Sequence, residues 1–224
     1  MIKILLANLE QGAEITSGYL QYPLLFWRHF VPHSYSKIKQ SADQFDQLDY
    51  GLFTEDLIPS NRTRFQSLSQ LATKHKNRFS SVTKYGECLS ITSNQILSTD
   101  EFLLSFGRKL IISDINHNDI NITIAHTHLS LRSQRRRVQV QEITNHLESI
   151  KGPLILTGDF NDESIEFNQL QNIKTPFTYP SWSPKKSLLR IYGRDLDNVS
   201  INVKCSDYLF SDHRGLIISL ADSS

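Results

Sequence analysis

Three short apolar runs along the chain each stop at a polar residue. They are Ile2 to Ala7, Tyr50 to Thr54 and Pro153 to Thr157. Apolar runs of this length predict strands that are covered on both faces. Asn8 follows the first run, Glu55 the second, and the turn Gly158 to Asn161 the third. The pattern therefore predicts buried strands whose C-terminal ends carry polar side chains.

Other segments lack helical periodicity and are rich in β-branched residues, which indicates antiparallel strands with at least one hairpin. These segments are Phe79 to Ser93 and Lys109 to His128, the second of which contains the turn-like His117-Asn118-Asp119. Near the C-terminus, the strand-like runs Tyr208 to Phe210 and Leu216 to Leu220 flank Ser211-Asp212-His213. We expect this tripeptide to form a turn between two strands.

Apolar residues that recur at intervals of three or four predict amphipathic helices. The predicted helices are Ser34 to Leu48, Ser67 to His75 and Ser133 to Ile150. In the last of these, Val138, Ile143, Leu147 and Ile150 are predicted to face inward. Strands and helices that mix without strict alternation predict a layered α/β fold with mixed sheets. Because no repeat or linker-like stretch interrupts residues 1–224, a single domain is expected.

Composition narrows the classes of function. Apolar residues make up 39% of the chain and charged residues 21%, a globular composition that excludes disordered and fibrous classes. The net charge of +1 lacks the basic excess that is typical of nucleic-acid-binding proteins. No apolar run approaches the roughly 20 residues that a membrane-spanning helix requires. We therefore expect a soluble, cytoplasmic protein, taken as a monomer.

Polar residues that follow separate strands are expected to gather at one edge of the sheets, where ligand sites commonly form. These residues are Asn8, Glu55, Asp159, Asn161, Asp212 and His213. Glu55, Asp159 and Asp212 are hard oxygen donors, and they are too few to enclose Mg²⁺ without water or substrate phosphate. An open magnesium site is therefore predicted. Taken singly, Asp159 could equally cap a following helix, and Glu55 could be a solvated strand end.

Two histidines are candidates for proton transfer, because an imidazole takes or gives a proton near neutral pH. They are His128, at the end of a predicted strand, and His213, in the Ser-Asp-His turn. The other six histidines have no comparable neighbours, so surface or core roles are expected for them. His126 lies one strand period from His128 and shares its face, which suggests a supporting position behind it.

In this order and spacing, the motifs resemble those of the endonuclease/exonuclease/phosphatase superfamily. The matching residues are Asn8 in Asn-Leu-Glu, Glu55 in Phe-Thr-Glu, His128 in His-Thr-His-Leu, Asp159 and Asn161 in Gly-Asp-Phe-Asn, and Asp212 and His213 in Ser-Asp-His. The resemblance spans residues 2–220 and implies a four-layer α/β/β/α sandwich with two mixed, mostly antiparallel sheets. It also implies a phosphoesterase that depends on Mg²⁺ or Mn²⁺.

The resemblance implies a role for each matched residue. Glu55 would bind the metal, Asn8 would place the metal or the phosphate, and Asp212 would hold a supporting or second-metal position. Asp159 and His213 would position and deprotonate the attacking water, with Asn161 aligning it, and His128 would donate to a phosphoryl oxygen. Such a site works by positioning and by electrostatic stabilisation of an in-line displacement.

One position departs from the family pattern. Family members carry an Asp upstream of Ser-Asp-His that orients the catalytic histidine, and here the best alignment puts Leu189 at that place. A leucine side chain cannot accept the imidazole N–H, so His213 would lose the partner that fixes its tautomer. Asp195 or Asp197, in the loop that follows, could substitute for it.

An arginine cluster at the start of the predicted helix 133–150 supplies candidate contacts to substrate phosphate. We single out Arg132, Arg135 and Arg136, because guanidinium groups pair with phosphate oxygens in a bidentate way and would oppose the helix dipole unless an anion is near. A solvated helix start is the competing interpretation. Lys185 and Lys186, near Trp182, form a second, weaker candidate patch.

Three functions follow. The first is hydrolysis of a small or lipid-linked phosphate ester, with a phosphorylated substrate as the partner. The second is a DNA or RNA nuclease, which the near-neutral charge does not favour, because nucleic-acid affinity comes largely from phosphate contacts. The third is a degenerate family member that binds a phosphorylated ligand or partner without turning it over. Leu189 motivates this last function.

Overall fold

The computed structural model describes residues 1–10, 47–56, 69, 73–84, 87–95, 97–117, 120–209 and 211–223. Two six-stranded mixed sheets account for about half of these residues. Of the helix predicted from Ser34, positions 34–46 lie outside the described residues. Most of the helix predicted from Ser67 also lies outside them, although Ser69 and Thr73 are helical.

The first sheet has the strand order β11-β12-β1-β2-β4-β3. Its strands are β1 (Ile2–Asn8), β2 (Tyr50–Asp56), β3 (Asn77–Val82), β4 (Cys88–Ser93), β11 (Val199–Leu209) and β12 (Arg214–Asp222). β1 pairs in parallel with β2, and the other pairs in this sheet are antiparallel. The predicted strands Ile2 to Ala7 and Leu216 to Leu220 are confirmed. The strand predicted from Tyr208 is the end of the longer β11, and Phe210 lies outside the described residues.

The second sheet has the order β5-β6-β7-β8-β10-β9. Its strands are β5 (Ser98–Leu103), β6 (Lys109–His117), β7 (Ile120–His128), β8 (Leu154–Asp159), β9 (Gln171–Ile173) and β10 (Leu189–Arg194). β7 pairs in parallel with β8, and the remaining pairs are antiparallel. The predicted hairpin is the β6–β7 pair, and β5, β9 and β10 were not predicted. The expected architecture of two mixed, mostly antiparallel sheets is confirmed.

The sheets pack face to face through an apolar layer that both contribute to. It includes Ile4 and Leu52 from the first sheet and Ile124, Ile155 and Leu189 from the second. Burial of large apolar side chains contributes roughly 1.5–3 kcal/mol each, so this layer is the main force that holds the sheets together. The spacing between the two sheets is consequently set by side-chain packing.

A helix, α1 (Ser133–Glu148), covers the outer face of the second sheet, begins at the predicted residue and ends before the predicted Ile150. Ile143 and Leu147 are buried, as predicted, but Val138 is 43% exposed, and its predicted inward position is wrong. The buried stripe begins with two polar residues, Arg136 and Gln139, whose side chains bind loop backbone. In the described part of the chain, no helix has the length and apolarity needed to cross a membrane.

Candidate active site

The candidate site forms where the two parallel strand pairs, one from each sheet, end side by side. In the first sheet, Asn8 is in register with Thr54, which precedes Glu55. In the second sheet, His128 is in register with Asp159. Because parallel strands end at the same edge, each pair presents two polar residues there, as the sequence predicted.

Left-handed backbone turns two of these residues into the site. Glu55 has φ 52° and lies within an interruption of the β2–β4 register between Phe53 and Asp56. Asn161 has φ 55°. Non-glycine residues in this region cost of order 1 kcal/mol or more, and such strain clusters at functional sites. The cost is consistent with both side chains being held for a purpose other than packing.

The glycine of the Gly-Asp-Phe-Asn turn is required by close approach. Gly158 has φ 155°, and a Cβ atom there would lie 2.1 Å from the backbone oxygen of Thr127 on the neighbouring strand. Any side chain would push β8 away from β7 and displace Asp159 from His128. This contact explains why the turn begins with glycine.

Asn8 bridges the two sheets. Its Nδ2 donates to Glu55 Oε1 at 3.2 Å and to Asp159 Oδ2 at 3.1 Å, and its Oδ1 accepts from the backbone N–H of Glu10 at 2.8 Å. Glu10 is a further carboxylate that the sequence analysis did not select. It is buried beside the site, and its Oε2 accepts from the backbone N–H of Asp212 at 3.3 Å.

His213 faces the same carboxylates from the first sheet. Its Nε2 lies 3.5 Å from Asp159 Oδ2 and 3.8 Å from Asp212 Oδ1. Its Nδ1 is buried, and among the described residues it has no hydrogen-bond partner. Leu189, the residue aligned with the family's orienting Asp, is fully buried in the layer between the sheets.

The suggested substitutes for the missing carboxylate lie in the wrong place. Asp195 and Asp197 follow Arg194, which is paired with Leu154 at the far end of β8 from Asp159. Asp195 is largely exposed and lies 4.0 Å from Arg194 Nε. The suggestion is wrong because β10 runs the full length of β8, from Asp159 to Leu154, before the chain reaches Asp195 and Asp197.

His128 has the carboxylate partner that His213 lacks. Its Nδ1 lies 3.4 Å from Glu87 Oε2 and 3.2 Å from Arg108 Nη1, and Arg108 also pairs with Glu87. Burial disfavours the imidazolium, but Glu87, Asp159 and Glu55 outweigh it and raise the pKa of His128. Burial likewise disfavours the Glu87 carboxylate, yet His128 and Arg108 hold its pKa below the ordinary value.

Glu87 and Arg108 were missed as site residues by the sequence analysis. Each precedes a strand by one residue rather than following one, so the search for polar residues after apolar runs passed over them. A charged residue next to a glycine was the available signal, since Gly86-Glu87 and Gly107-Arg108 share it.

On its other side, His128 meets Asn161. The Nε2 atom of His128 lies 3.2 Å from Asn161 Nδ2, and this Nδ2 donates to the backbone oxygen of Leu129 at 2.9 Å. The backbone N–H of Asn161 donates to Asp159 Oδ1 at 2.9 Å. Asn161 thus connects the histidine to the carboxylate in one turn.

These residues line one cavity of about 570 Å³. Its lining consists of Asn8, Glu10, Glu55, Glu87, Arg108, His128, Leu131, Asp159, Asn161, Tyr179, Lys186, Leu188, Asp212 and His213. All seven residues that carried the motif resemblance are in this set. The cavity is large enough for a phosphate group and part of the molecule attached to it.

The arginines proposed as phosphate contacts are not part of this lining. Arg136 is buried, and its guanidinium binds the backbone oxygens of Ser130 and Leu131 and the Asp162 carboxylate. Arg135 lies over the ring of Phe106 at 4.9 Å, and Arg132 is the exposed residue before α1. Positive charge in the cavity comes instead from Arg108 and Lys186.

The donor set suits a divalent cation that also binds water and substrate. Burial raises the pKa of Glu55, and the nearby Glu87 and Asp159 carboxylates add to this effect, so a cation beside Glu55 would relieve the repulsion. Among the described residues, no three His, Cys, Asp or Glu side chains are grouped tightly enough to enclose a metal ion. Carboxylate and amide oxygens are the ligands that hard cations such as Mg²⁺ prefer.

The fold is shared with solved proteins of low sequence identity. A functionally unknown conserved protein from Enterococcus faecalis has a TM-score of 0.71 and 17% identity, over 99% of this chain and 100% of that one. An endonuclease/exonuclease/phosphatase family protein from Leptotrichia buccalis has a TM-score of 0.68 and 18% identity, with coverage of 99% and 100%. A mannosyl-6-phosphatase from Bacteroides thetaiotaomicron has a TM-score of 0.68 and 13% identity, again with 99% and 100% coverage.

No protein-family model and no curated protein sequence matches the chain. At these identities the likeness to solved structures shows the fold. That fold is the one of the endonuclease/exonuclease/phosphatase proteins, as the motifs predicted.

Proposed function

We propose that the protein is a divalent-metal-dependent phosphoesterase that hydrolyses a phosphate monoester or diester by in-line attack of water. One observation carries the proposal. Asn8 donates to carboxylates from both sheets, Glu55 and Asp159, and thereby joins the two halves of a cavity that also holds two histidines. A purely structural role would not require so many buried polar groups around open space.

The metal would supply charge to neutralise the phosphate and stabilise the leaving oxygen. Glu55 would hold it, with Asn8, Asp212 and Glu10 as further oxygen donors at the same edge. Mg²⁺ is proposed first and Mn²⁺ second, because carboxylate and amide oxygens suit both. Asn8 also links Glu55 to Asp159 by donating to each, which fixes the position of one carboxylate relative to the other.

Asp159 and His213 would orient and deprotonate the attacking water, because Asp159 Oδ2 and His213 Nε2 lie 3.5 Å apart and face the same space. Asn161 would align this water. His128 would donate to a phosphoryl oxygen as negative charge builds there, and its raised pKa favours the protonated form needed for that role.

The experiment is an assay of generic phosphomonoester and phosphodiester substrates with Mg²⁺ or Mn²⁺ and with a chelator. Asp159→Asn and His213→Ala should each lower turnover by roughly two orders of magnitude or more. Asp197→Asn, in the exposed turn that follows β10, is the matched control and should leave turnover unchanged. Silence of the wild-type protein on every substrate, with or without metal, contradicts the enzymatic proposal.

The same residues would serve a nuclease, which stays the alternative. Among the described residues that line the cavity, the Arg and Lys residues are Arg108 and Lys186. Two cations offer few contacts to a nucleic-acid backbone, so the nuclease alternative has little support. Salt-sensitive, metal-dependent nicking of plasmid DNA would establish it.

The unpartnered Nδ1 of His213 keeps the degenerate, ligand-binding alternative open. Retained Mg²⁺ binding without hydrolysis of any substrate would favour that alternative.

A further inference from the structure

The ring of His213 is held without a hydrogen bond to its inner nitrogen. The residue is only 5% exposed, and Nδ1 is without a partner in the described part of the chain. The polar contacts of this ring are therefore on one side only, where Nε2 lies 3.5 Å from Asp159 Oδ2 and 3.8 Å from Asp212 Oδ1. A second restraint, on the ring itself, would help to keep Nε2 directed towards Asp159.

A clasp of hydrogen bonds joins the turn that carries His213 to the segment before β10. Ser181 donates through its backbone N–H to Asp212 O at 2.7 Å and through Oγ to Ser211 O at 2.8 Å. Arg214 donates through its backbone N–H to Thr178 O at 2.8 Å and through Nε to Ser181 O at 2.8 Å. The segment 178–181 is thus bound on both sides of His213.

Tyr179 lies inside this clasp, between the residues that make it. Its ring centroid is 5.0 Å from that of His213, with an angle of 46° between the planes. Its own backbone is fixed by hydrogen bonds to Lys186, at 3.0 Å from its N–H and 2.9 Å to its oxygen. The tyrosine ring therefore packs against the imidazole from a backbone position that is fixed by hydrogen bonds.

We propose that Tyr179 is a positioning residue for His213, and that ring packing replaces the carboxylate that Leu189 has displaced. Aromatic contacts at such distances are worth of order 1 kcal/mol, enough to select one ring orientation but with no means to select a tautomer. The part that concerns catalysis rests on the proposed phosphoesterase function. The part that concerns the orientation of His213 does not.

Three variants of Tyr179 distinguish the contribution of its aromatic ring from those of its hydroxyl group and of its apolar volume. Tyr179→Phe keeps the ring, Tyr179→Leu keeps apolar volume, and Tyr179→Ala removes both. In wild type and Tyr179→Phe, the His213 ring protons should show a ring-current shift, with the signals assigned by their loss in His213→Ala. Tyr179→Leu and Tyr179→Ala should abolish that shift and broaden the signals as the ring reorients.

For hydrolysis, Tyr179→Leu and Tyr179→Ala should lower kcat roughly tenfold with little change in KM, and Tyr179→Phe should be close to wild type. A rise in KM alone would overturn the proposal, because it would make Tyr179 a substrate contact. Wild-type kcat in Tyr179→Ala, or an unchanged His213 spectrum in Tyr179→Leu, would overturn it as well. An inactive wild-type protein with the expected spectra would contradict the proposed function and leave the positioning role standing.

Discussion

Leu189 is the direct partner of Asp159 across the antiparallel pair of β8 and β10. A carboxylate at position 189 would therefore sit on the strand next to another carboxylate. The leucine instead belongs to the apolar layer between the sheets. Its presence avoids like-charge repulsion beside Asp159 and adds buried apolar area.

Restoring the carboxylate should consequently be costly. We predict that Leu189→Asp lowers the free energy of unfolding at pH 7 by about 3 kcal/mol, through lost apolar burial and a buried charge. Leu189→Met, which keeps the volume, should cost less than about 1.5 kcal/mol. Urea denaturation of both variants measures this difference. Equal stability of the two would mean that position 189 tolerates a charge and is not enclosed by apolar side chains.

Glu87 should control the charge of His128. The carboxylate pairs with the imidazole and with Arg108, so Glu87→Gln removes one of the groups that raise the pKa of His128. We predict that this pKa falls in Glu87→Gln, measured by NMR titration of the metal-free protein. Glu101→Gln, whose carboxylate pairs with Lys109 on β6, is the control and should leave it unchanged. A higher pKa of His128 in Glu87→Gln would contradict the assignment.

His126 should make stability depend on pH in a defined window. Burial between the sheets lowers its pKa to about 4, against an ordinary value of 6.5. Between these two values the unfolded state binds the proton and the folded state does not, so stability falls as pH falls from 6.5 to 4. The full difference is about 3 kcal/mol, and it stops growing below pH 4.

Chemical denaturation of wild type and His126→Gln at several pH values checks this prediction. His75, whose pKa is also lowered by burial, acts in the same direction, so the variant should weaken the pH dependence without abolishing it. An identical slope in both proteins between pH 6.5 and 4 would rule out His126 as its source.

Metal binding should be visible without any substrate. A ligand present at about 100 times its Kd stabilises the folded state by roughly 2.7 kcal/mol, so Mg²⁺ or Mn²⁺ should raise the Tm. Glu55→Gln should remove most of this shift, whereas Glu148→Gln, at the end of α1, should retain it. Equal shifts in both variants would place the metal elsewhere.

The sequence was informative where a buried strand ends in a polar residue. Asn8, Glu55, His128 and Asp159 were found in this way, because apolar runs reveal strand ends and parallel strands bring those ends together. The Ser-Asp-His turn between strands followed the same logic. These residues could be predicted because their chemistry contrasts with their immediate neighbours.

Other features depend on contacts that no local pattern contains. Arg136 was a reasonable phosphate contact by residue type, yet its guanidinium is committed to loop oxygens and to Asp162. Val138 was placed inward because it is apolar, whereas the helix buries Gln139 instead. In each case a polar side chain is buried because it makes hydrogen bonds to buried backbone groups, so polarity does not predict exposure at these positions. Domain number, monomeric state and cytoplasmic location stay predictions.

The hydrogen bond from Asn8 to Asp159 spans the gap between the sheets at 3.1 Å. Because each sheet supplies half of the cavity, the alignment of the halves is only as precise as the apolar layer beneath them. A substitution deep in that layer, far from any polar group, would shift one sheet relative to the other and so displace the two groups of site residues. The geometry of the cavity therefore depends on how tightly the two sheets pack. Looser packing that leaves the secondary structure intact would change the cavity before it changes the strands.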